Sequence, residues 1–555
     1  MDSTSRASGV DAGRPVTGAL NRADERALAG LSPFEVKARL LELAAASARR
    51  RNSRLLDAGR GNPNWVATTP RAAFFLLGEF ALAESRRVWE EPDLGGMPAK
   101  HGIADRFTVF LAEHADRDGA ALLSGALGYG ESLAFGPDDF VYELTDGILG
   151  DHYPGPDRIG VHVEQILREY LADELLEGTP PDGPWDLFAT EGGTAAICYV
   201  FDSLATNFLL RPGDRVALMV PAFTPYLEIP RLGRYALDVV EINASGLDAN
   251  DDPTWQFPDA EIDKLTDPGI KALFVVNPSN PPSVMLAPET LERITAIVAT
   301  SNPNLIIVTD DVYGTFVPEF RSLLDVLPTN TIAIYSFSKY FGATGWRLGI
   351  VALYRDNVID RRIASLPVDE LAELDRRYEC ISTATAEIPF IDRMVADSRQ
   401  VALNHTAGLS LPQQVQMALF AVFALLDTDQ SYRNRTREIV TRRLGRLYEG
   451  LGIDLPPDTL RAGYYAEIDL MRWARHRHGP EFASWLAAEN EPIDLVIRLA
   501  EEASVVLLHG GGFDGPVWSV RVSLANLDDD CYLEVGAAIS RIFGEYVERW
   551  RESRA

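Results

Sequence analysis

Ser336-Phe337-Ser338-Lys339-Tyr340-Phe341-Gly342-Ala343-Thr344-Gly345-Trp346-Arg347-Leu348-Gly349 follows a β-prone run, Thr331 to Tyr335. The segment sets one lysine among small hydroxyl residues and glycines, with an arginine eight positions on. A lysine at a strand end, in a pocket of small side chains, suits covalent attachment of a carbonyl cofactor that also carries a phosphate. A bare Ser-x-Ser-Lys would read as a surface turn. Here Ser336, Ser338, Gly345, Arg347 and Gly349 are all placed around Lys339, and the pattern is too long for that reading.

Composition narrows the partners. At 555 residues the chain exceeds one small core, and two or three domains are expected. A net charge of −29 argues against nucleic acid and against an anionic membrane surface. The three cysteines, Cys198, Cys380 and Cys531, are scattered, which suits a reducing cytoplasm and predicts neither a disulfide framework nor a metal site. No apolar run reaches the ~20 residues of a membrane span, and the polar start is not read as a secretory signal.

Outward from the lysine, short apolar runs alternate with helical stretches. Strands are predicted at Trp185–Thr190, Arg215–Val220, Leu237–Ile242, Ala272–Asn277, Leu305–Asp310, Thr331–Phe337 and Gly349–Leu353. Several are apolar throughout, as strands covered on both faces are. Helices such as Gly193–Leu209 and Pro288–Thr300 lie between them. This is an α/β pattern, with a mostly parallel mixed sheet between helices. A smaller α+β domain is expected from 31–65 together with 411–555, its first helix opened by a Ser32-Pro33-Phe34-Glu35 capping box. The large domain is expected over 151–410, with a charged helical insertion at about 355–406. Residues 66–150 read as an extra helical segment and 1–30 as a flexible tail.

In open α/β sheets, ligands gather at the carboxyl ends of the parallel strands. Ala189-Thr190-Glu191-Gly192-Gly193-Thr194 ends a strand and opens a helix whose free N–H groups suit a phosphate. Asn277-Pro278-Ser279-Asn280-Pro281-Pro282 and Asp310-Asp311-Val312-Tyr313 end two more. Each has a plain reading as turn or cap. Their joint order with the lysine segment does not.

That order resembles the class I aminotransferases of pyridoxal-phosphate fold type I. The resemblance covers about Leu55–Asn64 and Tyr153–Asn526. It implies pyridoxal 5'-phosphate as cofactor, with Lys339 as its attachment point and proton shuttle. Asp310 would face the ring nitrogen, Asn277 and Tyr313 the ring hydroxyl, and Phe223 would stack on the ring. Gly193, Thr194, Ser336 and Arg347 would hold the phosphate. Arg521, in Ser519-Val520-Arg521-Val522-Ser523, would grip the substrate α-carboxylate, and Gly61 with Asn62 would form the substrate-side loop. Tyr153 would reach the phosphate of a neighbouring subunit, which implies a homodimer.

Two departures refine the resemblance. The extra stretches, with Gly59-Arg60-Gly61-Asn62-Pro63-Asn64-Trp65, are similar to the bifunctional aspartate aminotransferase/aspartate 4-decarboxylase group, which implies a higher oligomer, up to a dodecamer. The second departure is chemical. Family members acting on dicarboxylates place an arginine shortly before the turn that is here Ser410-Leu411-Pro412-Gln413, and Asn404-His405-Thr406-Ala407-Gly408 contains none. A strong arginine fork would stabilise the charged distal carboxylate more than departing carbon dioxide. Weaker contacts from Arg60, His405 and Thr406 would permit its loss, turning L-aspartate into L-alanine, with pyruvate restoring cofactor left in the amine form. The alternative is an aminotransferase proper, with Arg60 or an arginine within Asp392–Arg399 replacing the missing one. A regulator that kept the fold without the chemistry would carry a basic DNA-binding segment, and residues 1–61 are too short for one.

Overall fold

The computed structural model describes residues 22–31, 33–89, 91–399 and 408–555. Ser32 of the capping box, His405, Thr406 and most of the expected tail lie outside the described residues.

Seven strands form the large sheet: β1 (Trp185–Thr190), β2 (Arg215–Val220), β3 (Asp238–Asn243), β4 (Ile270–Val276), β5 (Ile306–Asp310), β6 (Thr331–Ser336) and β7 (Gly349–Tyr354). Their spatial order is β1-β7-β6-β5-β4-β2-β3. β7 runs antiparallel to both neighbours and the remaining pairs are parallel. Alternation along each strand divides the apolar residues between two layers. Ala333 and Tyr335 of β6, with Ala352 of β7, face a core shared with the helices Thr68–Val88, Pro137–Leu149 and Val161–Leu175. Ile332 and Ile334 face the opposite core, under Gly193–Thr206 and Phe390–Ser398.

The second sheet is antiparallel: β8 (Tyr465–Asp469), β9 (Leu508–His509) and β10 (Ser519–Ser523), ordered β9-β10-β8. A parallel pairing of Leu56–Asp57 with Val505–Val506 ties the N-terminal part to this domain. Val36 and Leu40 of the helix Pro33–Arg51 lie in one core with Leu444, Leu499 and Ile539.

Two boundaries differ from those read in the sequence. Residues 22–29, expected in the tail, form a helix, Arg22–Ala29, with Arg22 and Arg26 both ion-paired to Glu491. The helix Leu411–Leu425, assigned from sequence to the small domain, buries Met417, Leu419 and Phe420 in the core of the large domain and the extra helical segment. Its apolar residues cover most of the circumference, as in a helix enclosed by others.

Candidate active site

The parallel strands bring their carboxyl ends to one edge: β4 Val276 pairs with Asp310 of β5, and Asp310 with Ile334 of β6. There a cavity of about 330 Å³ opens between the two domains. Lys339 lines it together with Gly193, Thr194, Phe223, Asp310, Tyr313, Ser336, Arg347 and Arg521. Gly61 and Asn62 close it from the small-domain side. Lys339 Nζ donates to the Gly61 carbonyl at 3.3 Å, and Tyr464 Oη donates to the same oxygen at 2.7 Å. Residues 278 positions apart thus meet at the reactive nitrogen.

Asp310 lies at the bottom. Burial pushes its carboxyl up to about 6, against the opposing pull of the Val312 N–H, the Tyr226 hydroxyl and the Lys339 charge. Tyr226 Oη donates to Asp310 Oδ2 at 3.3 Å. Next to it Asp311 is satisfied inside the protein, by Thr309 Oγ1 at 2.6 Å and Ser322 Oγ at 2.5 Å, and does not line the cavity. Of two adjacent carboxylates, only Asp310 is offered to a ligand.

At the other end is an anion cradle. The helix Gly193–Thr206 points its N-terminus at the cavity, and Gly192 precedes it at φ +91°. A Cβ on Gly192 would come within 2.5 Å of Arg347 Nη2, so the guanidinium rests where only glycine leaves room. Arg347 is itself held at φ +56° with Nη1 on the Thr344 carbonyl at 3.1 Å. Ser336 and Ser338 hydroxyls lie 3.0 Å apart beside it. Helix N-terminus, guanidinium and hydroxyls make a site for a dianionic phosphate.

Arg521 sits between two rings, with its guanidinium carbon 4.5 Å from the Tyr465 centroid and 4.7 Å from that of Phe513. Nη1 donates to Asn280 Oδ1 at 3.2 Å and Nη2 to the Gly59 carbonyl at 3.0 Å. This corrects the sequence reading of the Asn-Pro turn. Asn277 is turned inward, its Oδ1 accepting from the Leu286 N–H at 2.9 Å, and it does not line the cavity. Asn280, three residues on, does. The turn carries two Asn-Pro pairs, and the second is the one presented to the cavity.

Tyr153 is 70% exposed and outside the cavity lining of this chain. Arg60 lines the cavity mouth with Nε 2.9 Å from Asp57 Oδ2. The arginines of Asp392–Arg399 do not replace the missing fork: Arg393 bonds the Ile388 and Thr385 carbonyls, and Arg399 pairs with Asp157. Tyr226, Asn280, Tyr464, Tyr465 and Lys37 are among the residues that escaped the sequence reading. Lys37 lines the cavity from the helix Pro33–Arg51, 3.6 Å from Asp57 Oδ2. Burial holds its ammonium below the usual lysine range, opposed by Asp57 and reinforced by the charges of Arg60 and Arg521. Nothing local marks Lys37 in the sequence.

A strand-end lysine, a buried carboxylate and an anion cradle around one cavity define a pyridoxal-phosphate-dependent transferase, and the chain belongs to the class I and II aminotransferase family, whose model matches residues 189–539. Over 531 residues it is 47% identical to the bifunctional aspartate aminotransferase and L-aspartate beta-decarboxylase of Pseudomonas sp, covering 95% of this chain and 98% of that protein. The valine–pyruvate aminotransferase of Mycobacterium tuberculosis is 32% identical over 234 residues, 41% of this chain and 49% of the relative. Among solved structures, a single mutant of Thermus thermophilus aspartate aminotransferase superposes with a TM-score of 0.56 at 18% identity, over 95% of this chain and all of the other. At that identity the likeness shows the fold.

Proposed function

We propose that the protein is a pyridoxal-phosphate enzyme that removes the β-carboxylate of L-aspartate to give L-alanine and carbon dioxide, with aspartate aminotransferase activity at the same site. The near-full-length likeness to a bifunctional enzyme of those two activities supports this reading. The observation that carries it is the pair of cations at the cavity mouth, Lys37 and Arg60, both shared with the single carboxylate Asp57.

The residues fit the cofactor. Gly193, Thr194, Ser336 and Arg347 would hold its phosphate, Phe223 its ring face, Asp310 the ring nitrogen, Tyr313 and Asn280 the ring hydroxyl, and Lys339 the carbonyl carbon. When bound, pyridoxal phosphate supplies an electron sink adjacent to the substrate α-carbon. The chain's own groups do the rest. Arg521 takes the α-carboxylate on the end of a guanidinium already fixed by Asn280 and Gly59. Lys339 Nζ, within reach of the Gly61 carbonyl, takes the α-proton and returns it. The distal carboxylate meets Lys37 and Arg60. Because Asp57 neutralises part of their charge, they orient that carboxylate without strongly favouring its anionic form over neutral carbon dioxide. One proton replaces the departing group on the β-carbon, so each turnover consumes one proton.

We read the working unit as a homodimer, with Tyr153 serving the neighbouring site, and a higher assembly, up to a dodecamer, in the cytoplasm. Exposed Phe75, Leu82, Trp89 and Met97 on the extra helical segment support contact between copies there. Among the described residues no helix is long and apolar enough to cross a membrane.

The test is product analysis. Holoprotein given L-aspartate is expected to release carbon dioxide and L-alanine in equal amounts, to last longer with added pyruvate, and to lose both products in Lys339→Ala. Oxaloacetate as the sole product would overturn the decarboxylase reading and leave an aminotransferase.

A further inference from the structure

Of His509-Gly510-Gly511-Gly512-Phe513 only the Phe513 ring enters the site above, against Arg521, yet the whole turn folds over the strand that carries Arg521. Beneath it is a carboxyl group that the reaction does not use. Glu467 of β8 stands directly opposite Arg521 of β10 in the antiparallel register, which sets the two side chains on one face, Cβ atoms about 5 Å apart. It is 6% exposed. Its Oε1 lies 2.6 Å from Ser519 Oγ, and that hydroxyl lies 2.7 Å from the Pro516 carbonyl. A hydroxyl has one proton to give, and a carbonyl can only accept. If Ser519 gives its proton to Pro516, the proton in the shorter contact belongs to Glu467. The glycines make room for this chain: a Cβ on Gly510 would lie 1.7 Å from Ser519 Oγ and 2.6 Å from Glu467 Oε1, and one on Gly515 2.9 Å from the same oxygen. Two further atoms are buried without a partner, Glu467 Oε2 and Arg521 Nε. An ionised Glu467 beside Arg521 would close that gap as an ion pair.

We propose that Glu467 is a positioning residue for substrate binding, held as a neutral acid by the Ser519–Pro516 chain and the glycine turn so that the Arg521 charge stays available to the amino-acid α-carboxylate. The inference rests on the reading of Arg521 as the α-carboxylate's partner. Burial raises the Glu467 carboxyl to about 8, opposed by the Ser519 hydroxyl wherever that group donates to Glu467 rather than to Pro516, with Asp469 adding to the rise and the Arg521 charge opposing it. His509, on the strand paired to β10, is kept neutral by burial, and Arg472 lines the cleft beyond Glu467. The pair is therefore open near neutral pH. Above about pH 8 Glu467 ionises and competes with substrate for the guanidinium.

The experiment is the pH profile of KM and kcat for L-aspartate in the holoprotein. Native KM is expected to rise about tenfold at pH 9, where roughly one molecule in ten keeps Glu467 neutral. In Glu467→Gln, which stays neutral, that rise disappears, and the difference falls on KM rather than kcat. In Ser519→Ala, which removes the acceptor of the Glu467 proton, the rise moves to lower pH. A Glu467→Gln profile that overlays the native one, or a Ser519→Ala limb that stays put or moves to higher pH, overturns the proposal. Should the glutamine variant not fold, Ser519→Ala decides alone. Arg521→Ala tests the parent reading separately: an unchanged KM there removes the α-carboxylate assignment, whatever Glu467 does.

Discussion

Tyr226 Oη donates to Asp310 Oδ2 at 3.3 Å, with both residues buried beneath the candidate cofactor site. A carboxylate this deep is neutral more readily than in water, and the tyrosine hydroxyl is one of few groups that favour its charged form. The usefulness of Asp310 to a protonated ring nitrogen therefore depends on pH.

The sign follows from the raised value. Asp310 ionises only above about 6, whereas in the unfolded chain it ionises near its ordinary value of 3.8. Affinity of the apoprotein for pyridoxal phosphate is expected to fall as pH drops below about 6, read by absorbance titration. Tyr226→Phe should move that fall to higher pH. Asp310→Asn should cut turnover by about 100- to 1,000-fold, as loss of one preorganised electrostatic partner does. Because the unfolded chain ionises first, this group's contribution to apoprotein stability is lost as pH rises from about 4 to 6. Apo Asp310→Asn should then melt at or above the native apoprotein at pH 7. A lower melting point would mean that the carboxylate is needed for the fold.

Gly61 is a matter of space. A Cβ there would come within 2.3 Å of Tyr465 Oη and 3.3 Å of Lys339 Nζ. Gly61→Ala is expected to lower kcat/KM by about 100-fold through displacement of these groups. Circular dichroism should show an unchanged fold. Native-like kinetics would show that the loop moves aside freely.

Lys37 distinguishes the two ends of the substrate. Lys37→Met should raise KM for L-aspartate by about tenfold, the equivalent of 1.4 kcal/mol. The KM for L-alanine in the reverse half-transamination, a substrate with no distal carboxylate, should stay within twofold. Equal effects on both amino acids would remove Lys37 from the distal subsite.

Much of the large domain was legible in the chain itself. β1 and β2 fall at the residues expected, and the other five strands start and end within two, because strands covered on both faces are continuous apolar runs bounded by turn residues. The lysine segment was legible as a unit, since Ser336, Lys339 and Arg347 lie within twelve residues, and the fold brings all three to one cavity. The helix Leu411–Leu425 was recognised as a helix but placed in the wrong layer: periodicity tells which face is apolar, not what covers it.

What the sequence alone determined, then, is the cofactor chemistry and the strands that carry it, because those signals are carried by neighbours along the chain. Tertiary structure alone decided that Asn280 rather than Asn277 lines the cavity, that Lys37 joins Lys339 there from 302 positions away, and that Glu467 is set opposite Arg521. Each is a contact created by chain folding, by the path of one turn, the seating of one helix or the register of two strands. Such contacts depend on packing across the whole molecule and leave no trace in local spacing.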